Sequence, residues 1–204
     1  GFAELGPEGA VVQARIAAKA RAGGLRLLGP NCIGLINTHA GMLLTTNAAL
    51  QKDRPAKGGV SVISQSGSML GSIITRASAR GIGFSKLVSI GNESDLSVGD
   101  LVSLLAEDEE TKTILLFLET IRDGEALAVA ARKAFAAGKP VIAYKLGKSS
   151  LGRRVAASHT GAMVGGDELA DAFFRANGIL RVDTMEGLIE LPRLVEGYRP
   201  PKSN

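Results

Sequence analysis

The stretch VSVISQSGSMLGSIITRA, residues 60–77, changes its hydrophobic pattern in the middle. Residues 60–64 form a short, mostly β-branched run, which is typical of a buried strand. The apolar residues after it recur every three or four positions, as on one face of a helix; they are Met69, Leu70, Ile73, Ile74 and Ala77. Because the serine-rich turn SQSGS (residues 64–68) separates the two patterns, the stretch predicts a strand, a tight turn and a helix.

The same pattern of strand, turn and helix repeats along the chain. Four further strand candidates are KLVSI (86–90), ILLFLE (114–119), PVIAYKL (140–146) and ILRV (179–182). Two helix starts resemble capping boxes, Ser97 with Asp100 and Asp183 with Glu186. Nearly all-apolar strands that alternate with helices indicate a parallel sheet covered on both faces. The sequence therefore predicts an α/β fold, a flavodoxin-like doubly wound parallel sheet, over residues 53–200.

The residues before this predicted domain follow a different pattern. Residues 8–22 predict a helix, LRLLG (25–29) predicts a strand that leads into GPNC, and residues 39–58 predict an irregular connection. We interpret residues 1–52 as the C-terminal remnant of a preceding Rossmann-like domain together with its connector. The start GFAELG, which has no methionine, indicates a piece cut from a longer polypeptide.

Composition excludes several classes of protein. The formal net charge is +4, but the 24 Lys and Arg residues are scattered and only six Phe and two Tyr accompany them, so no nucleic-acid partner is predicted. The single cysteine, Cys32, excludes an internal disulfide framework and fits a reducing compartment. No apolar run approaches the ~20 residues that cross a bilayer, and the first residues lack the basic start and the apolar h-region of a signal peptide. We therefore expect a cytoplasmic protein with no membrane partner.

Polar residues lie at the carboxyl ends of two predicted strands. In a doubly wound sheet, ligands bind beyond the carboxyl ends of the strands, so such residues are candidates for a site. Ser66, Gly67 and Ser68 begin a helix whose free N–H groups and hydroxyls can bind an anion; an ordinary N-cap and tight turn is the alternative. Glu119 ends the third strand, where it either orients an imidazole or is a solvated strand terminus.

One histidine lies among small residues after the fourth strand. His159 is part of VAASHTGAMVGG, residues 155–166, just before the helical stretch GDELADAFFRA. With an ordinary pKa of about 6.5, an imidazole is largely neutral at neutral pH and can act as a nucleophile. A surface or capping role is the alternative. The other histidine, His39, sits in a polar connector and is predicted to be structural or exposed.

Six motifs in order give the chain a family resemblance. They are GPNC (29–32), VSVISQSGS, ILLFLET, KPVIAYKLG, SHTGAMVGG and FFRANGILRV. Together they resemble the α subunit of succinyl-CoA synthetase and, more closely, the NDP-forming acyl-CoA synthetases, over almost the whole chain. SHTGA stands where succinyl-CoA synthetase typically has a GHAGA-like stretch. This difference favours the broader acyl-CoA synthetase branch and leaves the acid open.

The resemblance implies roles for individual residues. His159 would be transiently phosphorylated, Glu119 would accept a hydrogen bond from its imidazole, and residues 66–68 would cradle the phosphate. Asn31 and Cys32 would lie near the thiol end of CoA. No metal site is implied within these residues.

The resemblance also implies a reaction and its partners. Acyl-CoA and phosphate would give acyl phosphate and CoA. The histidine would take the phosphoryl group from the acyl phosphate with release of the carboxylic acid, and a nucleoside diphosphate would then receive it. ADP or ATP with Mg²⁺ would bind an ATP-grasp domain or subunit that these residues lack, as they lack most of the CoA-binding domain. The chain alone is therefore predicted not to catalyse the complete reaction.

Two other functions remain open at the level of sequence. One is a non-catalytic module of a protein acetyltransferase that senses acyl-CoA or nucleotide, although such modules generally lack the histidine. The other is a flavodoxin-like domain that binds a phosphate-bearing ligand without catalysis.

Overall fold

The computed structural model describes residues 2–47, 54–147 and 167–195, and within these ranges it contains one seven-stranded sheet with helices on both faces. The strands are β1 (Gly34–Asn37), β2 (Met42–Thr45), β3 (Lys57–Ser64), β4 (Phe84–Ser89), β5 (Thr113–Leu118), β6 (Val141–Lys145) and β7 (Leu180–Val182). The helices are α1 (Pro7–Ala22), α2 (Gly67–Ala79), α3 (Val98–Glu107), α4 (Gly124–Ala136), α5 (Asp167–Ala176), α6 (Met185–Glu190) and α7 (Pro192–Val195). A 3-10 turn at Ala3–Leu5 precedes α1.

The sheet order is β2-β1-β4-β3-β5-β6-β7. Its last five strands are mutually parallel, and the order β4-β3-β5-β6-β7 is that of a flavodoxin-like sheet. The prediction of a flavodoxin-like α/β fold is thus confirmed. The five strands predicted between residues 60 and 182 are all found within three residues of their expected bounds. Strand β5 ends at Leu118, so Glu119 is the first residue beyond it.

The helices cover both faces of the sheet, as the apolar strands predict. Val102 of α3, Leu127 of α4 and Phe174 of α5 are buried on one face. Ile73 of α2 and Leu188 of α6 are buried on the other. Because β3 and β5 contribute side chains to both layers, their backbones are held on each side, and the loops at their carboxyl ends project from a rigid base.

The strand prediction for LRLLG is wrong. Residues 25–29 form no strand; instead, backbone N–H groups of the loop after β4 bind carbonyl oxygens of this part of the chain. Leu96 donates to Leu27 (3.2 Å) and Ser94 donates to Gly29 (3.0 Å). Since that loop is irregular, its hydrogen bonds hold the segment in place without forming a ladder.

The prediction of an irregular connection over residues 39–58 is also wrong in part. Residues Met42–Thr45 form β2, which pairs antiparallel with β1. In turn, β1 pairs antiparallel with β4, so residues on both sides of the predicted boundary at residue 52 share one sheet.

The two predicted helix caps differ in outcome. At α3, Ser97 and Asp100 form the expected capping box. At α6 the N-cap is Thr184, whose side chain accepts a hydrogen bond from the Gly187 N–H, and not Asp183. The threonine hydroxyl lies three residues before that N–H, which is the spacing that a cap requires.

His39 lies at the amino edge of the sheet, opposite the carboxyl ends of the strands. Its ring Nε2 is 3.1 Å from the Gly58 carbonyl oxygen, and its Nδ1 is 3.2 Å from a carboxylate oxygen of Glu110. These contacts tie the β1–β2 turn to the start of β3, which gives His39 a structural role.

Candidate functional site

A pocket of about 310 Å³ opens at the carboxyl edge of the sheet, between the loops that follow β3, β4 and β5. Six of the seven residues predicted to form a site line this pocket: Asn31, Cys32, Ser66, Gly67, Ser68 and Glu119. The seventh, His159, lies outside the described residues. The fold therefore brings together, in one cavity, residues that lie up to 88 positions apart in the sequence.

The first turn of α2 forms one wall of the pocket. Ser66 is the N-cap, but its side chain makes no capping hydrogen bond, and its Oγ lies 3.2 Å from the Oγ of Ser68. Gly67 lets the segment around Ile33 pack closely, because a Cβ at position 67 would lie 2.8 Å from a methyl carbon of Ile33. A helix N-terminus stabilises an anion by about 0.3 to 2 kcal/mol. This wall is thus suited to an anionic group.

Gln65, which sequence reasoning missed, forms the back of the pocket. The residue is 9% exposed, and its side chain makes four hydrogen bonds. Oε1 accepts from the N–H groups of Glu119 (2.6 Å) and Thr120 (3.0 Å). Nε2 donates to a carboxylate oxygen of Glu93 (2.5 Å) and to the Thr120 carbonyl (2.8 Å). The only signal in the sequence is its position directly after a strand.

Glu93 is a buried acid behind the pocket, in the loop after β4. Its side chain is 3% exposed, and its backbone has a left-handed φ of 52°. Burial raises the pKa of the Glu93 carboxyl above its ordinary value, while hydrogen bonds from the Val98 N–H and the Gln65 amide act in the opposite direction. Its carboxylate also lies 3.9 Å from Nε of Arg122.

Two further polar residues that sequence reasoning missed line the pocket, Asn92 and Arg122. The Arg122 side chain is 36% exposed and brings a guanidinium to the same cavity as the start of α2. The Asn92 amide donates to a carboxylate oxygen of Glu4 (2.7 Å) and to the side-chain oxygen of Gln13 (2.9 Å). The pocket is thereby connected to the 3-10 turn and α1.

The loop after β4 holds the GPNC segment against the pocket. The Asn92 N–H donates to the Pro30 carbonyl (2.9 Å), and Asn31 itself has a left-handed φ of 56°. Gly91 has a φ of 64°, and a Cβ there would lie 2.2 Å from the Pro30 oxygen and 2.6 Å from the Asn31 oxygen. Only glycine permits this approach, so Gly91 fixes where Asn31 and Cys32 meet the pocket.

Substitution of Gly91 with alanine should therefore displace the GPNC segment and destabilise the protein. The left-handed backbone and the overlap with Pro30 should together lower the free energy of unfolding by about 2 to 4 kcal/mol. Urea unfolding measures this loss. Gly138→Ala is the matched control, because its φ is 71° but nothing lies within 4 Å of its Cβ position. Equal losses in the two variants would contradict the proposed overlap.

The end of β6 lies beside the end of β5. The Leu146 N–H donates to the Leu118 carbonyl (2.8 Å), immediately before Glu119. Gly147 is the last described residue before the segment that contains His159, and α5 begins after that segment at Asp167. The chain therefore enters the predicted histidine loop from the strand that neighbours Glu119.

The described residues contain other features near the pocket. A more open groove of about 610 Å³ continues along α2 and shares Ile33, Gly67 and Ser68 with the pocket.

Within the described ranges, no three His, Cys, Asp or Glu side chains are grouped so that they could hold a metal ion. Among the same residues, no helix combines the length and apolarity needed to cross a membrane.

Fold and pocket together define a class, an α/β domain of the flavodoxin type with a polar pocket at the carboxyl edge of its sheet. Residues 57–195 match the family described as the succinyl-CoA ligase like flavodoxin domain, and the chain belongs to that family.

Relatives of the chain include ADP-forming CoA ligases. The chain is 41% identical to an acetate–CoA ligase (ADP-forming) of Methanocaldococcus jannaschii, over 100% of this chain and 28% of that protein. It is 39% identical to the alpha subunit of acetate–CoA ligase (ADP-forming) II of Pyrococcus furiosus, over 95% of this chain and 41% of that subunit. The chain thus spans less than half the length of either relative.

A solved structure shares the same arrangement. The dinucleotide-forming acetyl-coenzyme A synthetase 1 of Ca. Korarchaeum cryptofilum, in complex with phosphate and ADP, superposes with a TM-score of 0.87 at 31% identity. The match covers 96% of this chain and 41% of that one.

Proposed function

We propose that this chain is the phosphoryl-carrying part of an ADP-forming acyl-CoA synthetase. Such an enzyme interconverts acyl-CoA, ADP and phosphate with a carboxylic acid, CoA and ATP. The observation that carries the proposal is that Ser66, Gly67, Ser68 and Glu119 line a single pocket, next to the strand that leads into the segment with His159. The ADP-forming ligases among its relatives support the same reading.

The pocket offers what a phosphoryl transfer needs. The start of α2 and the guanidinium of Arg122 provide donors and positive charge for the oxygens of a phosphate. A neutral imidazole nitrogen of His159 attacks phosphorus of the acyl phosphate, the bond from phosphorus to the acyl oxygen breaks, and the carboxylate leaves. Glu119 accepts a hydrogen bond from the other ring nitrogen and stabilises the positive charge that develops on the ring.

The remaining substrates occupy parts of the enzyme on either side of this pocket. We assign the thiol end of CoA to the neighbourhood of Asn31 and Cys32, with residues 1–52 as the end of the CoA-binding domain and residues 53–200 as the phosphohistidine domain. ADP and Mg²⁺ belong to an ATP-grasp domain or subunit, to which the phosphohistidine passes its phosphoryl group. We place the enzyme in the cytoplasm.

The proposal is tested by labelling the intact protein, together with any second subunit that it needs. Incubation with Mg²⁺ and ATP labelled at the γ-phosphate should give a protein-bound phosphoryl group that is labile to acid and stable to base, as phosphohistidine is. Addition of CoA and a carboxylic acid should then release the label. A protein that takes up no label under these conditions would be a binding module, and the proposal would be wrong.

A further inference from the structure

We propose that Gln65 and Glu93 are positioning residues that fix the carboxylate of Glu119 in the pocket. The inference rests on the proposed function, in which Glu119 orients the imidazole of His159. Neither Gln65 nor Glu93 needs to touch a substrate in this role, since Gln65 binds the backbone that carries Glu119 and Glu93 acts through Gln65.

The first step of the argument is the contact between Gln65 and the turn after β5. The backbone N–H of Gln65 donates to the Phe117 carbonyl (3.1 Å), which continues the pairing of β3 with β5. Its side-chain oxygen then binds the N–H groups of Glu119 and Thr120, and its side-chain nitrogen binds the Thr120 carbonyl. Beyond the ends of β3 and β5, the Gln65 side chain therefore provides the hydrogen bonds that a neighbouring strand would otherwise make. It holds the backbone of Glu119 relative to β3.

The second step is the orientation of the Gln65 amide. An amide can present its oxygen or its nitrogen to a given neighbour, and the two orientations differ by a flip of the group. The Thr120 carbonyl and an ionised Glu93 can only accept hydrogen bonds, and both lie against Nε2. Only one orientation is then compatible, and it directs Oε1 to the Glu119 and Thr120 N–H groups.

The third step is the anchorage of Glu93 itself. One of its oxygens accepts from the Val98 N–H (2.9 Å), at the first residue of α3, and the other accepts from Gln65. Because the Glu93 side chain is 3% exposed, water has little access to these bonds. Glu93 thereby connects the start of α3 to the turn that carries Glu119, and its charge also faces Arg122.

Together these contacts join the loops after β3, β4 and β5 into one polar unit around the pocket. Displacement of a reacting group by about 1 Å can cost about a hundredfold in rate. We therefore expect loss of this unit to slow phosphorylation of the histidine even where the protein remains folded.

The sharpest test exchanges Gln65 and Glu93 in the intact enzyme. Gln65→Glu alone sets a carboxylate against the Glu93 carboxylate and the Thr120 carbonyl. It should slow single-turnover phosphorylation by ATP about tenfold to a hundredfold. Adding Glu93→Gln removes the repulsion between the two carboxylates and keeps an acceptor for the Glu119 N–H, while the Thr120 carbonyl still faces a carboxylate oxygen. The double variant should recover part of the lost rate, and a double variant as slow as Gln65→Glu would overturn the inference.

A double-mutant cycle separates positioning from general damage to the fold. Gln65→Ala should slow phosphorylation when Glu119 is present, but it should slow it no further in a protein that already carries Glu119→Ala. Multiplied losses would mean that Gln65 acts independently of Glu119, and an unchanged rate in Gln65→Ala would mean that it does not act at all; either result overturns the inference. Absence of label in the unsubstituted enzyme would instead overturn the proposed function, and this inference with it.

Discussion

Replacement of His159 with alanine should abolish labelling of the intact protein by ATP. The alanine side chain has no nitrogen that can bond to phosphorus, and the label proposed here is a phosphoryl group on an imidazole. The expected result is that acid-labile, base-stable label falls to the level of a control without protein. Loss of acyl-CoA synthesis should accompany it, because the phosphoryl group no longer passes between the two half-reactions.

The chain provides a matched control for this variant. It has only two histidines, and His39 lies at the opposite edge of the sheet, bound to Gly58 and Glu110. His39→Ala should keep full labelling and lose about 0.5 to 1.5 kcal/mol of unfolding free energy for its hydrogen bonds. Label that survives in His159→Ala, or that disappears in His39→Ala, would assign the phosphoryl group to another residue.

Replacement of Glu119 with alanine should slow the phosphorylation of the protein by about a hundredfold or more, which is the loss expected when one group that stabilises developing charge is removed. The side chain lines the pocket and does not belong to the apolar core, so its removal leaves no large cavity. The free energy of unfolding should consequently change by about 1 kcal/mol or less. Rapid-quench labelling measures the rate, and urea unfolding measures the stability.

Two companion variants identify the cause of that loss. Glu119→Gln keeps the shape and an acceptor oxygen but removes the charge, so it should be intermediate if the carboxylate stabilises a developing imidazolium. Glu125→Ala removes an exposed acid in the first turn of α4 and should leave the rate unchanged. A rate in Glu119→Ala that equals the rate in Glu125→Ala would refute the role assigned to Glu119.

The sequence contains most of the information needed to predict the sheet. Residues 60–64, 114–119 and 140–146 are apolar runs that alternate with helical periodicity, and that alternation leaves few topologies other than a parallel, doubly wound sheet. Topology also explains why residues 66–68 and Glu119 could be predicted to share an edge, since each follows directly on a parallel strand.

The features that sequence reasoning missed depend on contacts between distant residues. Gln65 finds Glu93 and Thr120 at separations of 28 and 55 residues, and no local pattern marks such a pair. LRLLG has the composition of a strand, but its carbonyls are bound by an irregular loop and not by another strand. The short strand Met42–Thr45 lies in a segment with no periodicity that identifies it, and it exists because β1 offers an edge for pairing.

The antiparallel pair formed by β1 and β2 has a consequence for solubility. Because β1 pairs with the outer side of β4, it occupies backbone N–H and C=O groups of Lys86–Ser89 that would otherwise lie at the margin of the sheet. Unpaired groups on an apolar strand are a template for association with other chains and for aggregation. Residues 34–45 thus protect the edge of the five parallel strands from such association. A shorter protein made to study the parallel strands should therefore retain residues 34–45.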